Sequence, residues 1–293
     1  MNIKGMDFTS VPSARKPITC VQAGLRGKVL SIGDALRLED FSGFECVLDS
    51  RGPWIAGIDF PFGQSRRLVT NLRWPTSWEA YVGQVSSLSR DAFVRLLEDY
   101  KENRAPGDRE HFRVVDRLAR SKSPQKLYGV PVAKMFFEGA KRLLASPVSV
   151  VPLRPTSDAR IVVEAYPALV VRRFIDRRSY KNDSRAKQTA ALTVARRAIV
   201  EGLGSDQLRR DYGFEMRFSA KQAEQWIADA TGDLLDSVLC TVQAAWAWTQ
   251  RNHAYGIPEN ADPLEGWIAD PGLLPQAGDC AACDKGHHPQ RMV

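Results

Sequence analysis

The chain has 293 residues and a net charge of +7, and its hydrophobic and charged fractions of 44% and 26% are ordinary for a globular protein. A chain of this length buries a full core without disulfides or a structural metal. No run approaches the roughly 18 apolar residues that span a bilayer, so we expect no membrane partner. The first ten residues carry no apolar stretch, so we expect no secretory signal.

The cysteines and the net charge indicate a cellular location and a class of partner. The five cysteines are an odd number and are widely spaced, so we expect reduced thiols and a cytoplasmic location. The basic balance, with a pI of about 9.2, favours a polyanionic partner such as nucleic acid. This indication is weak by itself, because many basic proteins bind no nucleic acid.

Five consecutive elements in the first sixty residues define the fold class. Strands are predicted over 3–9, 17–23 and 28–32, followed by a helix over 38–50 and an apolar fourth strand over 54–60. The first three strands would form an antiparallel meander, and the helix would cross over to a strand parallel to the first. This order is typical of ribonuclease H-like and actin-like folds. We therefore predict an α/β protein with a mixed five-stranded sheet flanked by helices.

Beyond the fourth strand the pattern becomes mainly helical. Residues 64–150 are predicted to form a helical insertion that caps one end of the sheet. A fifth strand is predicted over 160–165, and Pro167 suits the first turn of the helix after it. Other helices are predicted over 91–103, 109–121, 132–145, 183–201 and 219–251, the last interrupted near Gly232. We expect one ribonuclease H-like domain over 1–270 and an irregular or disordered tail over 271–293.

Acidic residues stand where the strands are predicted to end. Asp7, Asp59 and Glu164 each lie at the end of an apolar strand, which is a poor place for a charged side chain. Asp233 and Asp236 are one helical turn apart and therefore face the same way. If the strands are neighbours in the sheet, these carboxylates meet at the carboxyl ends of the strands.

A meeting of carboxylates predicts a bound cation. Close carboxylates repel each other, and one of them protonates unless a cation neutralises them. An all-oxygen ligand set suits a hard ion, so we expect Mg²⁺ or Mn²⁺ held by these five acids. Two such ions about 4 Å apart activate water and stabilise the leaving oxygen in phosphodiester cleavage. In that scheme Asp7 bridges the two ions.

Four of the five acids also have a purely structural interpretation, the exception being Asp236, which lies deeper in an apolar helix. Asp7 precedes Phe-Thr-Ser and suits an ordinary turn, and Asp59 before Phe-Pro does so too. Glu164 suits a cap of the helix that begins near Pro167. Asp233 suits a residue that complements the helix dipole. Asp59 is the harder case to dismiss, because its Gly-x-Asp-Phe sequence repeats that of Asp7.

Several short motifs, taken in order and spacing, resemble one family. The chain resembles the domain of unknown function 429 family, whose members are predicted nucleases with a ribonuclease H-like fold. The matching segments are 5–10 (GMDFTS) with 15–17 (RKP), 57–63 (GIDFPFG), 164–167 (EAYP) with 180–181 (YK), 233–237 (DLLDS) and 265–268 (EGWI). They extend over about 3–268, nearly the whole chain.

The resemblance implies a metal-dependent nuclease whose acidic set is Asp7, Asp59, Glu164 and Asp236. The spaced pair Asp233 and Asp236 also resembles that of Holliday-junction resolvases of the same superfamily. Lys181, which the Tyr-Lys match includes, would approach the scissile phosphate. One departure is Ser at position 237, where the family often has Ala.

Two basic runs could contact a phosphate backbone. The first is dense enough for a phosphate track, although a solvated helix face is the commoner meaning of such a run. The second falls at helical spacing within the predicted insertion and would form one positive stripe, which is more often surface than groove. The first run contains Arg172, Arg173, Arg177, Arg178, Lys181, Arg185 and Lys187, and of these Arg172, Arg173, Arg177, Lys181 and Arg185 are the predicted nucleic-acid contacts; the second contains Arg109, Arg113, Arg117 and Arg120.

The C-terminal tail contains the ingredients of a zinc site, namely Cys280, Cys283, His287 and His288. The two histidines are adjacent, and the loop is too short for a usual zinc finger. A disordered tail is the simpler interpretation.

Three functions follow from these patterns. The first is a nuclease that uses Mg²⁺ or Mn²⁺ on DNA or RNA. The second is a nucleotide-binding phosphotransferase of the actin-like branch, which needs glycine-rich hairpins around phosphates; Phe-Thr-Ser after Asp7 supplies none. The third is a non-catalytic nucleic-acid-binding module of the same fold. Retention of all the acids argues against it, since unneutralised carboxylates are destabilising.

Overall fold

A seven-stranded mixed sheet forms the centre of the part of the chain that the computed structural model describes, residues 1–182 and 184–274. The strands are β1 (Asn2–Asp7), β2 (Ile18–Arg26), β3 (Val29–Leu38), β4 (Trp54–Asp59), β5 (Ser149–Val151), β6 (Arg160–Glu164) and β7 (Glu215–Arg217). Their order across the sheet is β5-β6-β4-β1-β2-β3-β7. β1 to β3 form an antiparallel meander, β4, β6 and β5 continue parallel to β1, and β7 runs parallel to β3.

The prediction of a mixed α/β sheet flanked by helices is confirmed, but the predicted number of five strands is wrong. The two additional strands, β5 and β7, have three residues each and lie at opposite edges of the sheet. Three residues are too few to display the alternation by which a strand is recognised. β3 also extends to Leu38, well beyond the predicted end at residue 32. The sequence did not predict this second half because it is mostly exposed and lacks apolar alternation.

Helices cover both faces of the sheet. They are α1 (Phe41–Asp49), α2 (Arg66–Asn71), α3 (Trp78–Ser86), α4 (Arg90–Glu102), α5 (Val114–Ala119), α6 (Val132–Ala145), α7 (Pro167–Ile175), α8 (Ala190–Leu203), α9 (Asp206–Tyr212), α10 (Ala220–Ala228) and α11 (Asp233–Thr249). Helices α2 to α6 all lie between β4 and β5 along the chain. None of these helices is long and apolar enough to cross a membrane.

Side-chain caps determine where several helices begin. Ser65, Ser77 and Ser89 precede α2, α3 and α4, and each hydroxyl accepts a hydrogen bond from the backbone N–H three residues later. Residue 232 is a glycine with φ of +76°, in the left-handed region, and α11 begins directly after it. The predicted interruption near Gly232 is therefore confirmed, since α10 and α11 are separate helices.

Two helix predictions were too long. The helix predicted over 109–121 is confined to α5, six residues, and the one predicted over 183–201 begins only at Ala190. α5 starts late because Arg113 has an extended backbone and its N–H bonds the Asp116 carboxylate, 3.0 Å away. The basic residues before α5 were spaced as in a helix without forming one.

Alternation along the strands builds two apolar layers, one on each face of the sheet. Ile3 and Ile55 face the layer that packs against α7, α8 and α11, whereas Met6 and Ile58 face the layer packed against α1, α3 and α6. Side chains at successive strand positions point to opposite faces. Whether a residue stands at an odd or an even position along its strand therefore fixes the face on which its side chain lies. This alternation decides which strand-end residues belong to the site described next.

Candidate metal centre

Asp7 and Asp59 are direct neighbours in the sheet. β1 and β4 run parallel, and their register pairs Gly5 with Gly57 and Asp7 with Asp59. Each aspartate is the last residue of its strand, and each is half-buried. Two carboxylates are thus placed side by side at the carboxyl ends of the central strands, as the sequence predicts.

Helix α11 crosses these two strands at unusually close range. A Cβ atom added to Gly5 would lie 2.1 Å from the Ser237 carbonyl oxygen, and one added to Gly57 would lie 2.6 Å from that of Cys240. Any larger side chain at either glycine would force the helix away from the sheet. The two glycines therefore allow the backbone of α11 to rest on β1 and β4.

The close approach of α11 adds a third carboxylate to the pair. Asp236, in the first turn of α11, is 2% exposed. One carboxylate oxygen from each of Asp7, Asp59 and Asp236 lies within 4.8 Å of the other two. These three residues are called the acid cluster below.

The repeated Gly-x-Asp-Phe sequence has a physical explanation in this geometry. Glycine and aspartate are two positions apart and share the face toward α11, so the first admits the helix and the second meets Asp236. The phenylalanine points to the other face, where the Phe8 and Phe60 rings pack with centroids 4.6 Å apart. One four-residue pattern thus serves helix packing, the acid cluster and the core.

The electrostatics of the acid cluster favour a cation. Burial raises the pKa of Asp59 to about 7, with a further contribution from the charge of Asp236. Burial likewise raises the pKa of Asp7 well above its ordinary value, and although the Lys181 charge opposes this, Asp236 adds to it. Among residues 1–182 and 184–274, no donor is hydrogen-bonded to the carboxylate of Asp7 or Asp59. A divalent ion would relieve both desolvation and mutual repulsion.

Tyr180 and Lys181 hold the two oxygens of Asp236. The Tyr180 hydroxyl donates to Oδ1 at 2.5 Å, and the Lys181 ammonium group donates to Oδ2. Burial lowers the pKa of Lys181, but the negative charge of Asp236 outweighs burial, and the pKa stands well above its ordinary value. Lys181 therefore stays charged and lies at the acid cluster.

Gly232 makes room for this lysine. A Cβ atom on Gly232 would lie 2.8 Å from Cδ of Lys181, and the positive φ of the glycine also disfavours a larger residue. The glycine before α11 therefore has two roles, because it starts the helix and lets the Lys181 side chain pass toward Asp236.

The donor set fits Mg²⁺ or Mn²⁺. Three carboxylates from three separate elements converge, all their donor atoms are oxygen, and two of them have no hydrogen-bond donor in the described part of the chain. Hard cations prefer such ligands. The residues that would hold the ion are Asp7, Asp59 and Asp236.

Glu164 lies outside the acid cluster, although the sequence predicts it as a metal ligand. The register of β4 and β6 pairs Glu164 with Ile58, one position before Asp59. Glu164 therefore points to the face opposite that of Asp59, and it is 2% exposed. Its carboxylate accepts hydrogen bonds from the Phe62 N–H at 2.9 Å and from the Arg113 guanidinium at 2.6 and 2.7 Å.

Arg113 is the cation that pairs with Glu164. It is 1% exposed, and its guanidinium also donates to both carboxylate oxygens of Asp116. The interpretation of Arg113 as part of a surface stripe is wrong, whereas Arg109, Arg117 and Arg120 are exposed. A buried arginine between two carboxylates joins the insertion to the end of β6.

Asp233 stands at the edge of the site. It is the first residue of α11, half-buried, and is not among the three acids whose oxygens converge. Burial raises its pKa, and the charge of Lys181 opposes this effect. Its negative charge in turn raises the pKa of Asp7. Asp233 thus acts on the cluster through its electric field.

The predicted basic residues do not act as one surface. Arg177 and Lys181, together with Arg172, line a hollow of about 430 Å³ that Arg120 and Arg178 also line. We call this hollow the basic groove. Arg173 points elsewhere, toward the buried Asp270 carboxylate at 3.8 Å. The side chain of Arg185 lies outside the described atoms.

A second hollow, of about 370 Å³, opens on the other side of Lys181. It is lined by both Asp59 and Asp236 of the acid cluster, and it shares Ala168, Tyr180 and Lys181 with the basic groove. We call it the acid-side cavity. The two hollows meet at Lys181, so the groove, the acids and the cavity form one continuous surface.

The predicted zinc candidates Cys280, Cys283, His287 and His288 lie outside the described residues. The only group of three or more acidic, histidine or cysteine side chains with converging ligand atoms, within the residues described, is the acid cluster.

Comparison with known families identifies the chain at the family level. The model of the family described as "Protein of unknown function (DUF429)" matches residues 19–262. The chain belongs to this family. The matched range includes Asp59, Glu164, Lys181 and Asp236, while Asp7 precedes it. Searches of curated proteins and of solved structures found no match.

The segment 265–268, which lies beyond the matched range, also has a structural role. The Glu265 carboxylate accepts hydrogen bonds from the N–H groups of Arg66 and Val114, at 2.8 and 2.9 Å, and so caps the first turns of α2 and α5. Its backbone carbonyl accepts from Arg113 at 3.0 Å. This segment fastens the insertion to the sheet.

Sequence reasoning missed two side chains that shape the DUF429 site, Tyr180 and Arg113. Tyr180 carried a signal, since it precedes Lys181 in the matched pair, but a tyrosine in a basic loop suggests no ligand role. Arg113 carried a misleading signal, because its neighbours at helical spacing are all basic. Only the three-dimensional contacts distinguish it from them.

Proposed function

We propose that this DUF429 protein is a metal-dependent nuclease with a ribonuclease H-like fold, and that it hydrolyses phosphodiester bonds in nucleic acid. The observation that carries the proposal is the convergence of Asp7, Asp59 and Asp236 next to a basic groove. The meander, the crossover helix and the strand parallel to β1 support the fold assignment.

The chemistry requires both a hydrolytic centre and a place for the substrate. When bound, Mg²⁺ or Mn²⁺ supplies activation of water and stabilisation of the leaving oxygen, for which two ions are the usual arrangement. Asp7, Asp59 and Asp236 would hold the metal. Glu164 would act indirectly, by keeping Arg113 and the insertion in place.

The cationic residues around the acids would position the phosphates. Lys181 lines both the basic groove and the cavity that Asp59 and Asp236 line, and its ammonium group would donate to a phosphate oxygen. Tyr180 keeps Asp236 oriented through the second carboxylate oxygen. Arg177 and Arg178 are exposed at the groove and would contact the neighbouring phosphates of a strand.

The test is cleavage of generic DNA and RNA, single-stranded and duplex, with Mg²⁺ or Mn²⁺. We expect wild type to cut at least one of them, Asp59→Asn to lose the activity, and Asp34→Asn to keep it, since Asp34 is exposed on β3. An inactive wild type, or equal cutting by Asp59→Asn, would contradict the proposal.

Two rival functions are distinguished by ATP binding and by the response of the folded protein to Mn²⁺. ATP binding would support a phosphotransferase of the actin-like branch, whose glycine-rich phosphate turns are absent after Asp7 in the sequence. A folded protein that binds nucleic acid but shows no response to Mn²⁺ would support a non-catalytic module of the same fold.

A further inference from the structure

The acid-side cavity is a preformed pocket that the proposed nuclease chemistry does not by itself require. Metal binding needs the three acids, and phosphate contacts need the basic groove. The cavity extends from Asp59 and Asp236 toward the insertion and has a volume of about 370 Å³. That size is within the range of pockets that enclose small organic groups.

The walls of the cavity are mainly apolar. Pro61, Ala165 and Ile268 come from the sheet side, and Val130, Val132 and Met135 come from the insertion. Half-buried Tyr166 adds an aromatic ring to the same wall. A phosphate would gain nothing from such walls, whereas a flat heteroaromatic ring would bury its faces against them.

Charged side chains also line the cavity, among them the buried Arg113, Asp116 and Glu164, whose charges are paired with one another. Asp59 and Asp236 of the acid cluster line it together with Lys181, and Lys122 and Lys126 line it from the insertion. The basic groove continues from Lys181 on the far side. A nucleotide therefore suits this surface in one arrangement, with its phosphate at Lys181 and its base between the apolar walls.

We propose that the acid-side cavity binds the base of one unpaired nucleotide of a nucleic-acid strand whose backbone follows the basic groove. A base stacked and paired in a duplex cannot enter such a cavity unless it leaves the stack. The inference rests on the proposed nuclease function and deepens it, because it predicts single-stranded or locally unpaired substrates.

Val130 and Val194 provide a matched pair of variants for the test. Val130 lines the cavity and is 60% exposed, and Val194 on α8 is 62% exposed and lines neither hollow. A tryptophan at either position is compatible with folding, since both side chains are at the surface. Met135→Trp is a second variant that fills the cavity from a half-buried position.

The experiment measures binding of labelled single-stranded and duplex oligonucleotides to the full chain in Mn²⁺, with folding checked by circular dichroism. We expect wild type to prefer the single strand. We expect Val130→Trp and Met135→Trp to weaken single-strand binding about tenfold, the order expected for one lost base contact, without altering Mn²⁺ affinity. Val194→Trp should bind as wild type does.

Equal binding of single strand and duplex by wild type, or unchanged binding by folded Val130→Trp, would overturn the inference. Cleavage with that result would still uphold the nuclease. Single-strand binding lost in Val130→Trp, without cleavage by any variant, would uphold the cavity and overturn the nuclease. A free nucleoside 5′-monophosphate that binds as tightly as the oligonucleotide would uphold the base site and overturn the strand assignment.

Discussion

Gly5 of β1 lies directly beneath the Ser237 carbonyl of α11, with room for no side chain between them: a Cβ atom would stand 2.1 Å from that oxygen. The contact sets how closely α11 approaches the sheet. It therefore also sets how closely Asp236, the residue before Ser237, approaches Asp7 and Asp59. A packing relationship in the core thus determines the geometry of the acid cluster.

Gly5→Ala should damage both stability and metal binding. The added methyl group would also meet the Thr241 N–H at 2.4 Å, so α11 must shift outward. We expect the free energy of unfolding in denaturant to fall by about 3 kcal/mol and Mn²⁺ affinity to fall with it. The control is Gly24→Ala on β2, where nothing lies within 4 Å of the added Cβ. Equal stability of the two variants would show that α11 does not press on β1.

The pH dependence of stability should reflect Asp59. Its pKa is about 7 in the folded chain, well above its ordinary value, so between about pH 4 and 7 the unfolded state loses this proton while the folded state keeps it. Stability without metal should therefore fall as pH rises through that window, with up to about 4 kcal/mol from this residue.

The measurement for Asp59 is unfolding by denaturant at pH 4 to 8 in chelator, for wild type and Asp59→Asn. The variant should lose much of the decline, because asparagine carries no titrating proton. The variant should keep a residual slope of stability against pH, because the pKa of Asp7 is raised for similar reasons. Identical slopes in the two proteins would contradict the assignment of a raised pKa to Asp59.

Glu164→Gln should separate structural acids from metal-binding acids. Removing the charge leaves the buried Arg113 with Asp116 as its remaining carboxylate partner in the described structure, so we expect a loss of stability of about 3 kcal/mol. Mn²⁺ should still raise the midpoint temperature of thermal unfolding. In Asp236→Asn that metal response should disappear.

The controls for this comparison are wild type and Glu201→Gln, an exposed glutamate on α8. Wild type gives the reference metal response and stability. Glu201→Gln should match wild type in both. If Glu164→Gln abolishes the Mn²⁺ response at a temperature where it is folded, Glu164 is a ligand after all and must rotate away from Arg113.

Lys181→Met should tighten metal binding while weakening catalysis. The lysine ammonium is a cation already paired with Asp236, so it competes electrostatically with a bound ion. We expect Mn²⁺ affinity, measured by calorimetry, to rise about tenfold. Cleavage under saturating Mn²⁺ should fall about 100-fold if Lys181 contacts the phosphate.

Lys221→Met, at an exposed position on α10, is the matched control and should alter neither quantity. A Lys181→Met protein with weaker Mn²⁺ binding would mean that the lysine organises Asp236 for the metal. It would then not act as a competing cation.

Local patterns in the sequence were sufficient for much of the fold. The meander, the crossover helix and β4 are long enough to show alternation or helical spacing, and their order was predicted correctly. β5 and β7 were missed because three residues carry no recognisable period. The helix predicted over 109–121 was too long because the backbone N–H of Arg113 bonds the Asp116 carboxylate and the helix begins only at Val114.

The sequence by itself determined that Asp7 and Asp59 stand at the ends of two parallel strands, because a strand period and a helix between two strands can be recognised locally. The direct pairing of the two strands comes from the structure. Only the tertiary structure decided which other acids join them. Glu164 pairs with Ile58 in the register and so faces Arg113 on the opposite side of the sheet, whereas the glycines beneath α11 bring Asp236 to the pair. Register and interatomic distance depend on contacts between residues far apart in the chain, and no local pattern contains them.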